Sequence, residues 1–177
     1  PKWFGERIAL PPKGFAADLG LKGIEEILFA PGMFKADQPD FFSYVFLFAL
    51  EAEPVLDVKV LKKELFIYYS GLSKARMENS NLDTSGFGVK VTIVEGNSVS
   101  PKGVVSVKNY QAEILWLEPF ATKKMQTLYS ELQSWQYKGS TCQYLFVSAI
   151  PQKPDKTLWN TLRTIRVSVA IQSKQKE

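Results

Sequence analysis

Phe41-Phe-Ser-Tyr-Val-Phe-Leu-Phe-Ala-Leu-Glu51 is the stretch that decides the fold. Side chains alternate along a strand, so Phe42, Tyr44, Phe46, Phe48 and Leu50 share one face and Val45 and Leu47 the other. A strand that is apolar on both faces is covered on both, which makes Phe41–Glu51 a central strand with a layer packed on each side. Pro54 ends it, because proline brings no N–H to a ladder. The longest apolar run, Tyr44–Leu50, falls far short of the roughly 18 residues that a membrane span requires, so no span is expected.

Period 3.6 takes over on the C-terminal side. Val58, Leu61, Leu65, Tyr68, Leu72 and Ala75 follow one another at steps of three and four, which predicts a helix over Val58–Met77 with its stripe on the core. Asp57 is its N-cap, and Lys59, Lys62, Lys63 and Lys74 lie on the wet side. Gly71, after Ser70, interrupts a good helical pattern and implies close packing on the sheet.

Strands resume after Asn81. Phe87, Val89, Val91 and Ile93 alternate with Gly88, Lys90, Thr92 and Val94. Val104–Leu117 reads as a long strand, closed by Pro119. Met125–Gln136 fits either period: Met125, Leu128, Leu132 and Trp135 suit a helix, whereas its Thr, Tyr, Trp and Ser content and its strand neighbours favour a strand. Tyr144–Ile150 is another strand. A last helix, capped by Asp155 or Thr157, carries the stripe Leu158, Leu162, Ile165 and Val169. Upstream, Ile24–Ala30 is a strand closed by Pro31-Gly32. Residues 1–23 form an irregular segment in which Arg7–Leu10 is a short strand, and residues 172–177 form a frayed tail. Strands that run consecutively, rather than alternating with helices, predict an α+β fold: a mainly antiparallel sheet of about six to seven strands with two helices packed on it, as a single domain over residues 1–177.

The residue inventory removes whole classes of chemistry. The chain has 177 residues, a net charge of +4 and no histidine, which excludes Ser-His-Asp and Cys-His catalysis and histidine-ligated metals. The one cysteine, Cys142, can form neither an internal disulfide nor a zinc cluster, and without a nearby histidine it reads as a buried, inert thiol. No calcium-loop motif occurs, and Asp37 and Asp40 are too sparse for a calcium cage. Gly86 and Gly88 enter a strand rather than open a helix, so they are turn glycines and not a phosphate loop. No metal, cofactor or catalytic residue is therefore assigned. The carboxylates give no clear acid–base pair: Glu25 and Glu26 point to opposite faces, Glu51 and Glu53 sit at a wet strand end, and Glu113 and Glu118 lie far apart on one strand. The positive charge is mostly lysine, scattered, with Arg7, Arg76, Arg163 and Arg166 as the only arginines. A solvated lysine surface, without specific nucleic-acid binding, is the expectation.

Three short motifs, Phe29-Ala-Pro-Gly-Met-Phe34, Phe41-Phe-Ser-Tyr44 and Trp116-Leu-Glu-Pro-Phe120, resemble segments of small uncharacterised exported proteins of Gram-negative bacteria. The resemblance implies a periplasmic or secreted location and a removed signal peptide; it carries over no site residues. The chain starts at Pro1 without a methionine or a signal-peptide pattern, which fits a trimmed chain, a processed secreted protein or simple loss of the initiator methionine, so a cytoplasmic location stays open. The element order is similar to the sandwich of the extrinsic photosystem II subunit and the Ran-binding import factor, a likeness of fold that licenses no function.

Three functions stay open. The first is a non-enzymatic binding or adaptor domain outside the cytoplasm, with an unknown protein partner. The second is a carrier for a small apolar ligand, suggested by 12 Phe, 7 Tyr and 4 Trp; the loops Met33–Asp40 and Glu118–Lys124 would rim its aromatic pocket. The third is an enzyme that uses carboxylates only.

Overall fold

The computed structural model describes residues 2–96, 98–154 and 157–175, with the side chains of the last helix described as far as Ser168. The chain runs β1 (Phe4–Leu10), β2 (Gly23–Phe29), β3 (Tyr44–Leu50), α1 (Val58–Arg76), β4 (Gly88–Ile93), β5 (Val104–Leu117), β6 (Met125–Tyr137), β7 (Gln143–Ile150) and α2 (Thr157–Gln175). All seven strands join one antiparallel sheet in the order β1-β2-β3-β7-β6-β5-β4, so the fold is α+β, as the consecutive strands predicted. No helix among the described residues is long and apolar enough to cross a membrane.

β3 lies inside the sheet between β2 and β7 and is buried on both faces. Tyr44, Phe46, Phe48 and Leu50 enter the core beneath α1, where Leu61, Leu65, Tyr68 and Tyr69 meet them. Val45 and Leu47 enter the second core, with Trp135, Phe146, Trp159 and Leu162. Burying one such Leu or Phe side chain is worth about 1.5–3 kcal/mol, and each face gathers several, which is what holds two helices on one sheet. Phe42 departs from the expected strand. It sits in the turn ahead of β3 with φ +47°, yet is only 1% exposed, its ring against Tyr44, Trp116 and Phe120.

Asp57 caps α1 as expected: its Oδ1 accepts from the Val60 N–H at 2.8 Å, satisfying one of the donors a helix start leaves open. The predicted stripe holds through Leu61, Leu65 and Tyr68 and then drifts. Leu72 is half-buried and Ala75 exposed, while Tyr69 and Ser73 take the inner positions, and Lys74 is half-buried rather than fully wet. Ser73 Oγ donates to the Leu117 carbonyl at 2.7 Å, which pins the end of α1 to the end of β5. Gly71 packs closely, but against the loop before β2 and not the sheet: a Cβ there would lie 1.9 Å from the Phe15 carbonyl oxygen.

Several boundaries move. β1 is seven residues long and pairs with β2 along its whole length, so the short strand expected at Arg7–Leu10 starts three residues earlier, at Phe4, while residues 11–22 are irregular as expected. Ile93 is 65% exposed although it shares the alternation of Val89 and Val91, because it ends an edge strand. The ambiguous Met125–Gln136 is strand, inserted between β5 and β7. The buried line of α2 is Trp159, Leu162 and Arg166; Leu158 and Ile165 are half-buried, and Asp155 and the Val169 side chain lie outside the described residues. The backbone stays helical to Gln175, well into the stretch expected to fray. Cys142 is half-buried rather than buried.

Candidate ligand groove beside the second helix

The two helices cover different parts of the sheet. α1 packs over β4 and β5 on the first face, and α2 over β3 and β7 on the second. The register shows what this leaves open on the second face. Tyr129 faces Glu113, which faces Lys90; Glu131 faces Gln111, which faces Thr92. These six side chains come from outward positions of β4, β5 and β6.

They form the floor of two adjoining depressions that share Gln111. One, of about 390 Å³, is lined by Lys90, Thr92, Glu113, Tyr129 and Lys153 among others. The other, of about 360 Å³, lies toward Val99, Glu131, Arg163 and Arg166. Volumes of this order suit small molecules.

The charges at the α2 wall are built in. Arg163 grips Glu131 with a fork, Nε at 3.1 Å from Oε2 and Nη2 at 2.5 Å from Oε1, so the bond to Glu131 raises the Arg163 pKa. Arg166 is 4% exposed and shares the same carboxylate only at 3.7 Å, while its Nη2 donates to the Val99 carbonyl at 3.1 Å. Its Nε has no partner in the structure. Desolvation lowers the Arg166 pKa, with Glu131 opposing and Arg163 adding to the effect. Gln133, fully buried, donates to Asn109 Oδ1 at 2.8 Å and leaves its own Oε1 without a partner.

The buried carboxylates elsewhere are held apart in separate settings. Glu25 accepts from the Tyr68 hydroxyl at 2.8 Å under α1, and Glu64 accepts from the Gly20 N–H at 2.7 Å. Glu118 accepts from the N–H groups of Phe120, Ala121 and Thr122 and thereby shapes its own turn. Glu26 lies opposite Glu25 across the strand, 3.9 Å from Arg7, as the alternation required. Glu51, Glu53 and Glu113 are exposed. No cluster of three acidic or cysteine side chains suited to a metal occurs among the described residues.

The two loops expected to rim an aromatic pocket do meet. Phe34 packs on Phe120 with centroids 5.4 Å apart and on Phe29 at 6.2 Å, and Phe34 remains 47% exposed. Here the rings contact one another instead of facing a cavity. Beneath α1 the space lined by Phe46, Phe48, Leu65 and Tyr68 is about 10 Å³, at most about one water. The groove beside α2 was not foreseen, since its floor reads as ordinary outward strand positions. The signal that could have found it is the pair Arg163 and Arg166, three apart on one helix and half of the arginines in the chain. Comparison with protein-family models, curated proteins and solved structures returned no match.

Proposed function

We propose that this chain is a non-enzymatic binding domain acting outside the cytoplasm, and that it takes its ligand in the groove beside α2. One observation carries the reading: between α2 and the β4 edge the second face holds an open concavity on which Lys90, Glu131, Arg163 and the buried Arg166 converge. Convergent polar groups in a concave site are the ordinary mark of a ligand position. The aromatic excess that suggested an apolar carrier is largely spent in the two cores, where Phe42, Phe46, Phe146, Trp116, Trp135 and Trp159 are fully buried. The location outside the cytoplasm rests on the resemblance to exported proteins carried by the Phe29–Phe34, Phe41–Tyr44 and Trp116–Phe120 motifs.

Native mass spectrometry of the chain purified from its own host tests the reading. Gln111 is exposed and floors both depressions, so Gln111→Trp fills the groove without entering a core. A bound mass on the parent chain that is lost on Gln111→Trp supports the groove. A bound mass that survives the substitution overturns it.

A further inference from the structure

The charge in the groove is not balanced. Lys90, Lys153, Arg163 and Arg166 line it against only two carboxylates, Glu113 and Glu131, among the described residues. Glu131 is committed to the Arg163 fork and touches Arg166 only at 3.7 Å. Arg166 is therefore a buried cation with no close carboxylate of its own, its nearest acceptor being a backbone carbonyl. A guanidinium taken out of water favours an anion that can complete it.

We propose that the groove binds a small organic anion, a carboxylate or a phosphate monoester, anchored by Arg163 and Arg166. This deepens the reading above and rests on it. Val94 and Val99 beside the arginines would contact an apolar substituent on the ligand, and Lys90 and Lys153 lie farther along the same groove for a second anionic group. Glu131 is then a competitor: it holds Arg163 in place while the site is empty and repels the incoming anion. Removing it has the opposite sign from damage to a structural ion pair.

Titration calorimetry with phenyl phosphate, benzoate and uncharged benzyl alcohol tests the assignment. Both anions bind the parent chain at least tenfold more tightly than benzyl alcohol, and the stronger of the two distinguishes phosphate from carboxylate. Arg163→Gln, at a partly exposed position, weakens both about tenfold because Glu131 then turns to Arg166. Glu131→Gln tightens both severalfold. Anion binding no better than that of benzyl alcohol, or unchanged in Arg163→Gln, overturns the proposal, as does weakening in a folded Glu131→Gln. Gln111→Trp separates the two levels of the argument. If it abolishes benzyl alcohol binding while the anions show no advantage, the groove stands and the anion falls. If anion binding survives it intact, the anions sit elsewhere and both readings fail.

Discussion

The Tyr68 hydroxyl of α1 donates to Glu25 Oε1 of β2 at 2.8 Å, deep in the first core. Glu25 is fully buried, and its Oε2 has no partner. Burial raises its pKa from 4.5 to about 8; the Tyr68 bond pulls it down and Glu6 pushes it up further. The neighbouring Tyr44 and Tyr69 share a 2.5 Å hydroxyl–hydroxyl bond, and burial raises the pKa of both. Glu25 is thus a neutral acid at pH 7 in the folded chain and charged in the unfolded one.

The pH dependence follows from the proton count. Between about 4.5 and 8 the folded state holds the Glu25 proton and the unfolded state does not, so stability falls as pH rises across that window. The contribution is roughly 3–5 kcal/mol over the window. Glu25→Gln supplies a permanently neutral side chain of the same shape and should flatten the fall. Urea melts at pH 5, 7 and 9 on both chains check this, and equal slopes would show that Glu25 is not the group responsible.

Phe46 tests the central strand. Its ring stacks on Tyr68 at 5.7 Å and packs on Phe48 at 5.0 Å. Phe46→Ala should lose about 3–5 kcal/mol through transfer energy and the cavity left behind. A loss under about 1 kcal/mol in a chemical melt would contradict its place in the core.

Gly71→Ala separates helix propensity from packing. Propensity alone would stabilise α1 by about 1 kcal/mol. The added Cβ meets the Phe15 carbonyl at 1.9 Å, a backbone atom that only a shift of the loop can relieve. Net destabilisation by about 1–3 kcal/mol is expected. A higher melting temperature in Gly71→Ala would mean the loop does not pack there.

The scattered lysines predict no specific nucleic-acid binding. Of the four arginines, Arg163 is held by the Glu131 fork, Arg166 is buried, and Arg76 lies over the Phe120 ring. An anisotropy titration with duplex DNA at physiological salt should show nothing tighter than the micromolar range of non-specific binding. Nanomolar affinity would contradict it.

Much of the architecture was legible because period 2 and period 3.6 are strong signals where a face is buried. Tyr44–Leu50 and the first half of α1 follow their patterns closely. The signal weakened where tertiary context chose the inner face. Phe42 is buried from a turn, Ile93 is exposed at an edge strand, and α2 buries Arg166, which no hydrophobic pattern would count. β1 was underread because Phe4, Gly5 and Glu6 are exposed, and only their pairing with β2 makes that segment part of the strand. The groove was illegible for a related reason. Lys90, Gln111, Glu113 and Glu131 look like any solvent-facing strand positions until the lateral offset of the two helices leaves them uncovered on one side of α2.

The most direct test of the groove as the ligand site is a ¹H–¹⁵N correlation map recorded as phenyl phosphate is added. The account predicts that the moving amides cluster at Val99, Gln111, Glu131 and Arg163, with those around Phe34 and Phe120 unmoved. Shifts centred on Phe34 and Phe120, or spread over the lysine surface with none in the groove, would contradict it.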